Sequence, residues 1–509
     1  MRSIAHPPAR GFDETVQELV RGSPWWLISL VLHGIALAIL WAIPTAIEVK
    51  EQGAHIVCAA PTEMKEVEQI NLDPPPVQPP EDIEKKPVEI EDVADVPQDD
   101  TEDDFHEVSG EEGPTSGVYS GPSTESVVGL GSGGGGHGRG SRRHTGATGS
   151  DARTQDAVDA ALKWLAEHQD MDADGRWDAD DFMKHDPADD RCDGAGGALH
   201  DVGVTGLAVL AFLGADYTDR GNHPFAKHVR EGLRYLIRSQ EPDGCFGSRA
   251  SHSFMYSHAI ATLAMCEAFW MTRNPRYRKP AQDGINFISA ARNPYLAWRY
   301  EPRGGQNDTS VTGWCVMAMK SGKYAGLEVD PDAFDGARAW IEKMTEPNFG
   351  QVGYDSPGGA PARPEGKQDR FPCEKSQSMT AVGVLTRIFL GEDPRTSDMI
   401  RKGAKLCVEH PPRWNPDDGS IDMYYWYYGT LAIFQVGGAP WKTWNDAMVG
   451  AIVNHQHGKG TGSREGSWDP VGCWGDDGGR VYSTAMLAMC LEVYYRYPKV
   501  FGAADTVRK

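Results

Sequence analysis

Three carboxylates stand at or near the starts of apolar segments, where an acid could meet a bound ligand. Asp201 precedes VGVTGLAVL, Asp308 precedes TSVTGWCVM, and Glu374 lies shortly before SMTAVGVL. A carboxyl that is kept protonated and made strong by its neighbours can act as a general acid, although one isolated carboxyl does so poorly. Asp201, Asp308 and Glu374 are therefore the candidate catalytic residues.

Aromatic side chains form the second group of candidates. Residues 424–428 read Tyr-Tyr-Trp-Tyr-Tyr, and because successive residues point around a helix, some of them should face an internal cavity. Aromatics at helical spacing are commonly core residues, but an aromatic cup with a few carboxylates suits an apolar, glycan or peptide ligand equally well. The predicted cavity residues are Tyr256, His258, Tyr424, Tyr425, Trp426, Tyr428 and Tyr482.

A metal site is the third kind of chemistry to consider. The nine cysteines include no Cys-x-x-Cys pair, which argues against a zinc ribbon or a dithiol site. Cys473 with Asp469 or Asp476 could supply sulfur and oxygen ligands, and His455 and His457 belong to the same repeat. We expect no cofactor, with zinc at this cluster as the alternative.

These residues are positioned by a repeated pair of helices. From Thr154 onward, an amphipathic helix leads through a Gly-containing loop to a second helix that is apolar around its circumference. Six pairs follow one another at a spacing of about 45 to 70 residues, typical of repeat proteins. Because one pair cannot bury its apolar face alone, the pairs must stack. The sequence predicts an all-α fold, a single (α/α)6 toroid over residues 154–509 with the apolar helices inside.

The loops of these repeats carry a family resemblance. Each combines a Gln, a Gly and, two residues later, an aromatic side chain: Gln169, Gly175 and Trp177; Gln240, Gly244 and Phe246; and, less regularly, Gln456, Gly466 and Trp468. The pattern resembles the QW motif of squalene and oxidosqualene cyclases and of protein prenyltransferase β-subunits. The resemblance covers Thr154 to the end and implies an α/α toroid of prenyltransferase/squalene-oxidase repeats, without fixing a function.

Neither catalytic template of these families is complete in this chain. Squalene–hopene cyclases use an Asp-x-Asp-Asp motif, and the resemblance puts Asn307, which cannot donate the proton, at the donor position. Residues 178–181 match the letters, but no inner helix starts there. Protein prenyltransferases hold zinc with a His where this chain has Ser483. Whether the chain is an enzyme therefore stays open.

The N-terminal part differs from the repeats. Residues 24–47 contain no Asp, Glu, Lys or Arg and are long enough to span a bilayer, with a signal peptide as the alternative. Residues 48–153 are Pro-rich and acidic, then Gly-rich, and are predicted to be a disordered tether. With residues 1–23 as a cytoplasmic leader, the charges predict a single-pass inner-membrane protein whose bulk is periplasmic or extracytoplasmic.

The predicted span carries Ser29 and His33 on one helical face. A short leader, one span with Ser-x-x-x-His and a Pro-rich tether together resemble the N-terminal region of TonB-type energy transducers. The resemblance covers about the first 100 residues. It implies that Ser29 and His33 contact proton-channel proteins of the ExbB/ExbD type.

The charge distribution narrows the choice of partners. The net charge is −23 and no basic face is evident, so a nucleic-acid partner is not expected. The preferred interpretation is a membrane-anchored repeat protein whose toroid binds a ligand or partner and is coupled to a proton-channel complex. The alternatives are a terpenoid cyclase or prenyltransferase-type enzyme with non-standard catalytic residues, and a purely structural spacer.

Overall fold

The computed structural model describes residues 151–364 and 366–496. Helices dominate these ranges, and the β-type pairing within them is limited to two isolated bridges. The α-helices are α1 (Ala152–Glu167), α2 (Asp201–Gly214), α3 (Ala226–Arg238), α4 (Phe254–Thr272), α5 (Pro275–Ala291), α6 (Thr309–Ala325), α7 (Pro331–Met344), α8 (Ser378–Phe389), α9 (Asp398–Glu409), α10 (Met423–Val436), α11 (Gly438–Val453), α12 (Gly475–Leu491) and α13 (Val493–Arg496).

The six even-numbered helices form a closed inner ring. Each packs against the next, from α2 through α4, α6, α8 and α10 to α12, and α12 packs back against α2. The odd-numbered helices α1 to α11 lie outside, each in contact with neighbouring inner helices. The described residues therefore form an all-α (α/α)6 toroid, as the helix-pair pattern predicted.

Burial follows the composition of the two helix types. In the inner helix α2, every residue from Val202 to Gly214 is buried. In the outer helix α3, burial is confined to one stripe, which consists of Ala226, Val229, Gly232, Leu233 and Leu236. A wholly apolar helix must be enclosed by protein, whereas an amphipathic one can cover the outside of a core. The inner helices also approach closely, since a Cβ added at Gly206 would lie 2.9 Å from a methyl carbon of Ile260.

The repeated Gln–aromatic loops tie neighbouring repeats together. The Gln240 amide donates to the carbonyl of Gly244 in its own loop and, at 3.0 Å, to that of Pro280 in the next outer helix. The Gln169 amide makes the equivalent pair of bonds. The Trp177 indole donates to the Leu165 carbonyl near the end of α1, at 2.7 Å. The Trp177 indole satisfies a carbonyl near a helix C-terminus, where intrahelical donors run out, whereas each Gln amide links a carbonyl of its own loop to one of the next outer helix. These contacts have a structural role in the described fold.

The ring closes where the α1–α2 loop meets the last repeat. Arg480, which is 1% exposed, donates to the carbonyl of Asp193 and to the Asp469 carboxylate. Helix α12 is broken at Gly479, whose φ of 66° is left-handed, and a Cβ there would lie 2.6 Å from the Gly196 nitrogen. The glycine therefore allows the first and last repeats to approach backbone to backbone.

A buried ionic cluster lies toward the C-terminal ends of the inner helices α2, α4 and α12. Arg496 is fully buried, and its guanidinium contacts both carboxylate oxygens of Glu267 at 3.1 and 3.2 Å and the Glu492 carboxylate at 3.4 Å. It also donates to the Leu210 carbonyl in α2. The short helix α13 thus joins α12 to α2 and α4 at the end of the ring where these inner helices finish.

No helix in residues 151–364 and 366–496 is long and apolar enough to cross a membrane. This finding contradicts the predicted single-pass inner-membrane localisation, which is corrected here. The segment on which that prediction was based, residues 24–47 with Ser29 and His33, lies outside the described residues, as do the leader and the tether.

Candidate ligand-binding cavity

A cavity of about 380 Å³ opens at the end of the ring where the inner helices begin. All six inner helices contribute side chains from their first two turns, represented by Val204, Tyr256, Trp314, Met379, Tyr424 and Tyr482. The connecting loops complete the wall with His200, His252, Tyr300, Ala362, Pro364 and Trp474. The toroid therefore gathers residues from every repeat around one space, of a size usual for small-molecule sites.

The cavity wall is mostly apolar and aromatic, with a few placed hydroxyls. The Ser310 and Tyr424 hydroxyls are hydrogen-bonded at 2.8 Å. Trp314 packs edge-on against Tyr428, with ring centroids 5.4 Å apart. Tyr482 and Trp474 each hold a buried polar atom, the phenol oxygen and the indole nitrogen, that has no hydrogen-bond partner among the described residues.

Asp308 is a buried carboxyl immediately beside this wall. It caps α6, and its Oδ1 accepts from the Val311 amide at 2.7 Å. Its Oδ2 is buried and has no partner with hydrogen-bond geometry among the described residues. Burial raises the pKa of Asp308 to about 7, against the opposing influence of the Val311 amide, Arg299 and the Tyr354 hydroxyl. A large fraction of this carboxyl is therefore neutral near pH 7.

Two tyrosines connect the Asp308 region to the cavity. The Tyr300 and Tyr354 hydroxyls lie 2.5 Å apart, and Tyr300 lines the cavity whereas Tyr354 adjoins Asp308. The Arg299 guanidinium stacks near both rings, at 5.6 and 5.4 Å from their centroids. The Tyr300–Tyr354 hydrogen bond therefore leads from the wall toward Asp308, but among the described residues no hydrogen bond closes the last step to the Asp308 Oδ2. This group was missed from the sequence because Tyr300 and Tyr354 lie in loops outside the helical pattern.

Asp422 occupies the same position on α10 that Asp308 occupies on α6, but it is paired. Its Oδ1 caps the Tyr425 amide at 3.0 Å, and its Oδ2 accepts from Arg363 at 3.1 Å and from Ser376 at 2.8 Å. Asp422 and Arg363 side chains are both 2% exposed. Arg363 therefore donates directly to Asp422, whereas no cation among the described residues donates to the Oδ2 of Asp308.

The other two predicted acids lie away from the cavity lining. Asp201 begins α2, where it accepts from the Ala179 amide and pairs with Arg176 at 3.2 Å. Burial raises its pKa to about 6. Glu374 is exposed in a short 3-10 turn and borders a separate cavity with His410. Asn307, at the donor position of the cyclase motif, accepts from the Ala297 amide at 3.0 Å and so belongs to its loop.

The predicted aromatic residues divide into two groups. Tyr256, Tyr424 and Tyr482 line the cavity. Tyr425, Trp426 and Tyr428 are buried behind the wall, and the Tyr425 hydroxyl is bonded to the Cys407 carbonyl at the back. His258 is also buried behind the wall, where its Nδ1 accepts from the Phe246 amide and burial lowers its pKa to about 3. Tyr428 lies on the same face of α10 as Tyr424, because residues four apart share a helix face, but it is one turn deeper and packs beneath Tyr424 with ring centroids 4.9 Å apart.

The metal ligands predicted from sequence are not brought together. Asp469 is bonded to His457 and Arg480, Asp476 is paired with Lys367 at the surface, and Cys473 is buried elsewhere. Ser483, at the position of the prenyltransferase His, donates to the Trp468 carbonyl. The described residues instead contain three other groups with metal-ligand composition.

Two of these three groups are acidic and already contact basic side chains. In the group of Asp178, Asp180 and Asp201, Arg176 lies 2.9 Å from the Asp178 carboxylate. In the group of Asp170, Asp172 and His185, Lys184 lies 2.8 Å from Asp170. The third group comprises His168, Asp186 and Cys192.

No protein-family model matches the chain. A squalene–hopene cyclase from Bradyrhizobium diazoefficiens is 27% identical over 217 residues, which cover 38% of this chain and 28% of the cyclase. The chain therefore spans less than a third of that relative, and the cyclase's activity does not transfer with the similarity.

Solved structures of toroid enzymes are similar at a low level. The GH76A α-1,6-mannanase of Salegentibacter sp. HEL1_6 gives a TM-score of 0.45 at 10% identity, over 67% of this chain and 98% of the mannanase. The type II terpene cyclase MstE from Scytonema gives 0.43 at 11% identity, over 67% and 97%. Likeness at this level carries no functional weight, and the assignment of the toroid rests on the closed ring of helices.

Proposed function

We propose that the toroid binds a predominantly apolar small molecule in the cavity at its mouth. The observation that carries the proposal is the convergence of all six inner helices on one aromatic-lined space of about 380 Å³. Aromatic walls bury large apolar areas of a ligand.

An apolar ligand suits this wall better than a glycan or a peptide. A sugar or peptide brings many donors and acceptors, and each one left unpaired on burial costs about 1–3 kcal/mol. The acids and histidines of the lining are Asp477, His200 and His252, and its other polar groups are mainly serine and tyrosine hydroxyls. Apolar groups make up most of its surface. A long hydrocarbon with a single hydroxyl therefore matches the proportion of apolar to polar groups in the cavity wall.

Tryptophan fluorescence and native mass spectrometry can test this proposal with three probes. We expect farnesol to bind, and α-1,6-mannotriose and trileucine to bind at least tenfold more weakly. Ala362→Phe should fill the cavity and abolish farnesol binding, because Ala362 lines it. Ala290→Phe, on the exposed side of α5, is the matched control and should bind normally. Equal binding by both variants, or preferred binding of mannotriose, would refute the proposal.

Acid catalysis is the second candidate, and Asp308 is the observation that favours it. A buried carboxyl that stays protonated near neutral pH can transfer its proton to a substrate, and the partial similarity to a squalene–hopene cyclase fits this chemistry. Asp308 would be the acid, and Tyr300 with Tyr354 would relay the proton from it to the cavity wall. The replacement of the family's donor by Asn307 makes any such activity different from the standard mechanism.

Product analysis separates catalysis from binding. If the chain is a cyclase, squalene incubated with it should give cyclic products detectable by gas chromatography–mass spectrometry. Asp308→Asn should remove the products while leaving farnesol binding intact, since Asn retains the helix cap. Absence of products from the unaltered chain, together with normal farnesol binding, would leave binding as the function.

A further inference from the structure

A buried cluster of His168, Asp186 and Cys192 lies outside the cavity. His168 follows the end of α1, and the other two belong to the long loop between α1 and α2. The side chains of His168 and Asp186 are each 4% exposed, and Cys192 is 5% exposed. One nitrogen, one oxygen and one sulfur of the three residues lie within 4.8 Å of one another.

The hydrogen bonds of His168 determine what this cluster can hold. Its Nδ1 lies 2.7 Å from the Trp164 carbonyl, which can only accept, so the ring hydrogen is on Nδ1. A neutral ring then turns the lone pair of Nε2 toward Asp186 Oδ1 at 2.8 Å and Cys192 Sγ at 3.8 Å. A carboxylate oxygen also carries only lone pairs. A positive charge is therefore required between these atoms, either a proton or a metal ion.

The donor set and its supports match those of zinc sites. Zinc binds His nitrogen, carboxylate oxygen and Cys sulfur at about 2.0–2.3 Å, which puts tetrahedral ligands roughly 3.3–3.6 Å apart. The observed separations of 2.8 and 3.8 Å reach that spacing with shifts of about half an ångström. The second oxygen of Asp186 accepts from the Cys192 amide at 2.7 Å. A second-layer bond of this kind, like that from His168 to Trp164, orients metal ligands.

The surroundings provide a route for the ion. A polar cleft lined by His168, Asp186, Ser463 and Glu465 reaches the cluster and can admit water as a fourth ligand. The cluster also lies at the closure of the ring. The Cys192 thiol donates to the Ser463 carbonyl at 3.1 Å, a bond that is lost when the thiol gives up its proton to bind a metal. The Ser463 amide donates to Asp190 at 2.7 Å, so the loop carrying two of the ligands stays attached to the last repeat.

We propose that His168, Asp186 and Cys192 bind one zinc ion, which fixes the α1–α2 loop against the last repeat and stabilises the closed ring. Three protein ligands with water as the fourth is the composition of many catalytic zinc sites, so the structural role is inferred from the burial of the ligands and from their distance from the cavity wall. The site differs from the zinc site implied by the prenyltransferase resemblance in every residue and in its repeat.

Metal content and thermal stability of the full chain test this proposal. After loading with zinc and desalting, the chain should carry one zinc by native mass spectrometry, and a chelator should lower its Tm by several degrees. Cys192→Ser and Asp186→Asn should lose the zinc and the chelator effect. Cys245→Ser is the matched control, because Cys245 is fully buried in the corresponding loop of the next repeat, and it should keep both.

Cobalt provides a readout that does not depend on folding of the variants. Co²⁺ added to the unaltered, metal-free chain should give the intense near-ultraviolet band of a thiolate ligand and the visible bands of tetrahedral coordination. Zinc should displace these bands with one equivalent. A loaded chain without zinc, a Tm insensitive to chelator, or zinc retained by Cys192→Ser would overturn the proposal and leave a proton shared between His168 and Asp186.

Discussion

The Ser310 and Tyr424 hydroxyls, 2.8 Å apart, join the first turn of α6 to the first turn of α10. These helices are not successive in the inner ring, because α8 lies between them. The bond therefore spans the start of α8 and holds the wall of the cavity on that side. Both residues are buried, so neither hydroxyl can readily exchange its partner for water.

A double-mutant cycle on this pair should show coupling. Tyr424→Phe leaves the buried Ser310 hydroxyl without this partner and should cost about 1–3 kcal/mol in the free energy of unfolding. Adding Ser310→Ala should recover part of the loss, giving a coupling energy of about 1 kcal/mol. Urea unfolding of the four proteins measures it. Strictly additive losses would mean that the hydroxyls do not interact.

Asp308 should make stability depend on pH between about 4 and 7. Its pKa is raised from 3.8 to about 7 by burial, so the folded state binds the proton more tightly than the unfolded state. Stability contributed by the neutral form is then lost as the pH rises from 4 to 7, by roughly 4 kcal/mol at most. Asp308→Asn should lack this loss and gain in stability relative to the unaltered chain between pH 5 and pH 8. Parallel curves for the two proteins would exclude a raised pKa.

Removing the charge of Arg496 should destabilise the toroid strongly. Arg496→Met takes the cation away from the buried carboxylates of Glu267 and Glu492, and breaking a buried pair in this way costs about 3–5 kcal/mol. Arg401→Met, on the exposed face of α9, is the control and should change stability by less than about 1 kcal/mol. Thermal and urea unfolding compare them, and similar losses would contradict a stabilising role of the buried cluster.

The Gln–aromatic loops should behave alike when their amides are removed. Gln240 and Gln456 each donate to a carbonyl in their own loop and to one in a neighbouring outer helix. Replacement by Ala should cost about 1–3 kcal/mol at either position, because two carbonyls lose a donor. Equilibrium unfolding provides the values. A loss of stability for Gln240→Ala with none for Gln456→Ala would show that the same hydrogen-bond geometry does not contribute equally to the free energy of unfolding at the two positions.

The toroid could be predicted because its information is local and repeated. The sequence alone distinguishes an apolar inner helix such as α2 from an outer helix such as α3, which has one apolar stripe. Because the pair recurs six times, each copy supports the interpretation of the others. The site could be predicted only in part. Tyr256 and Tyr424 lie near helix starts and line the cavity. The proximity of Tyr300 and Tyr354 to Asp308, and of Cys192 to His168, depends on loop paths that leave no periodic signal.

The closure of the ring has a consequence for how the chain folds. The Trp164 indole donates to the Ser463 carbonyl, two residues 299 positions apart in sequence, and other closing bonds are of similar range. Contacts between such distant residues require a large loss of chain entropy before they form, so they form slowly. Neighbouring repeats can assemble first into an open arc, whose two terminal repeats expose apolar edges. We therefore expect closure of the arc to be the slow step, and the chain to be most prone to aggregate before it.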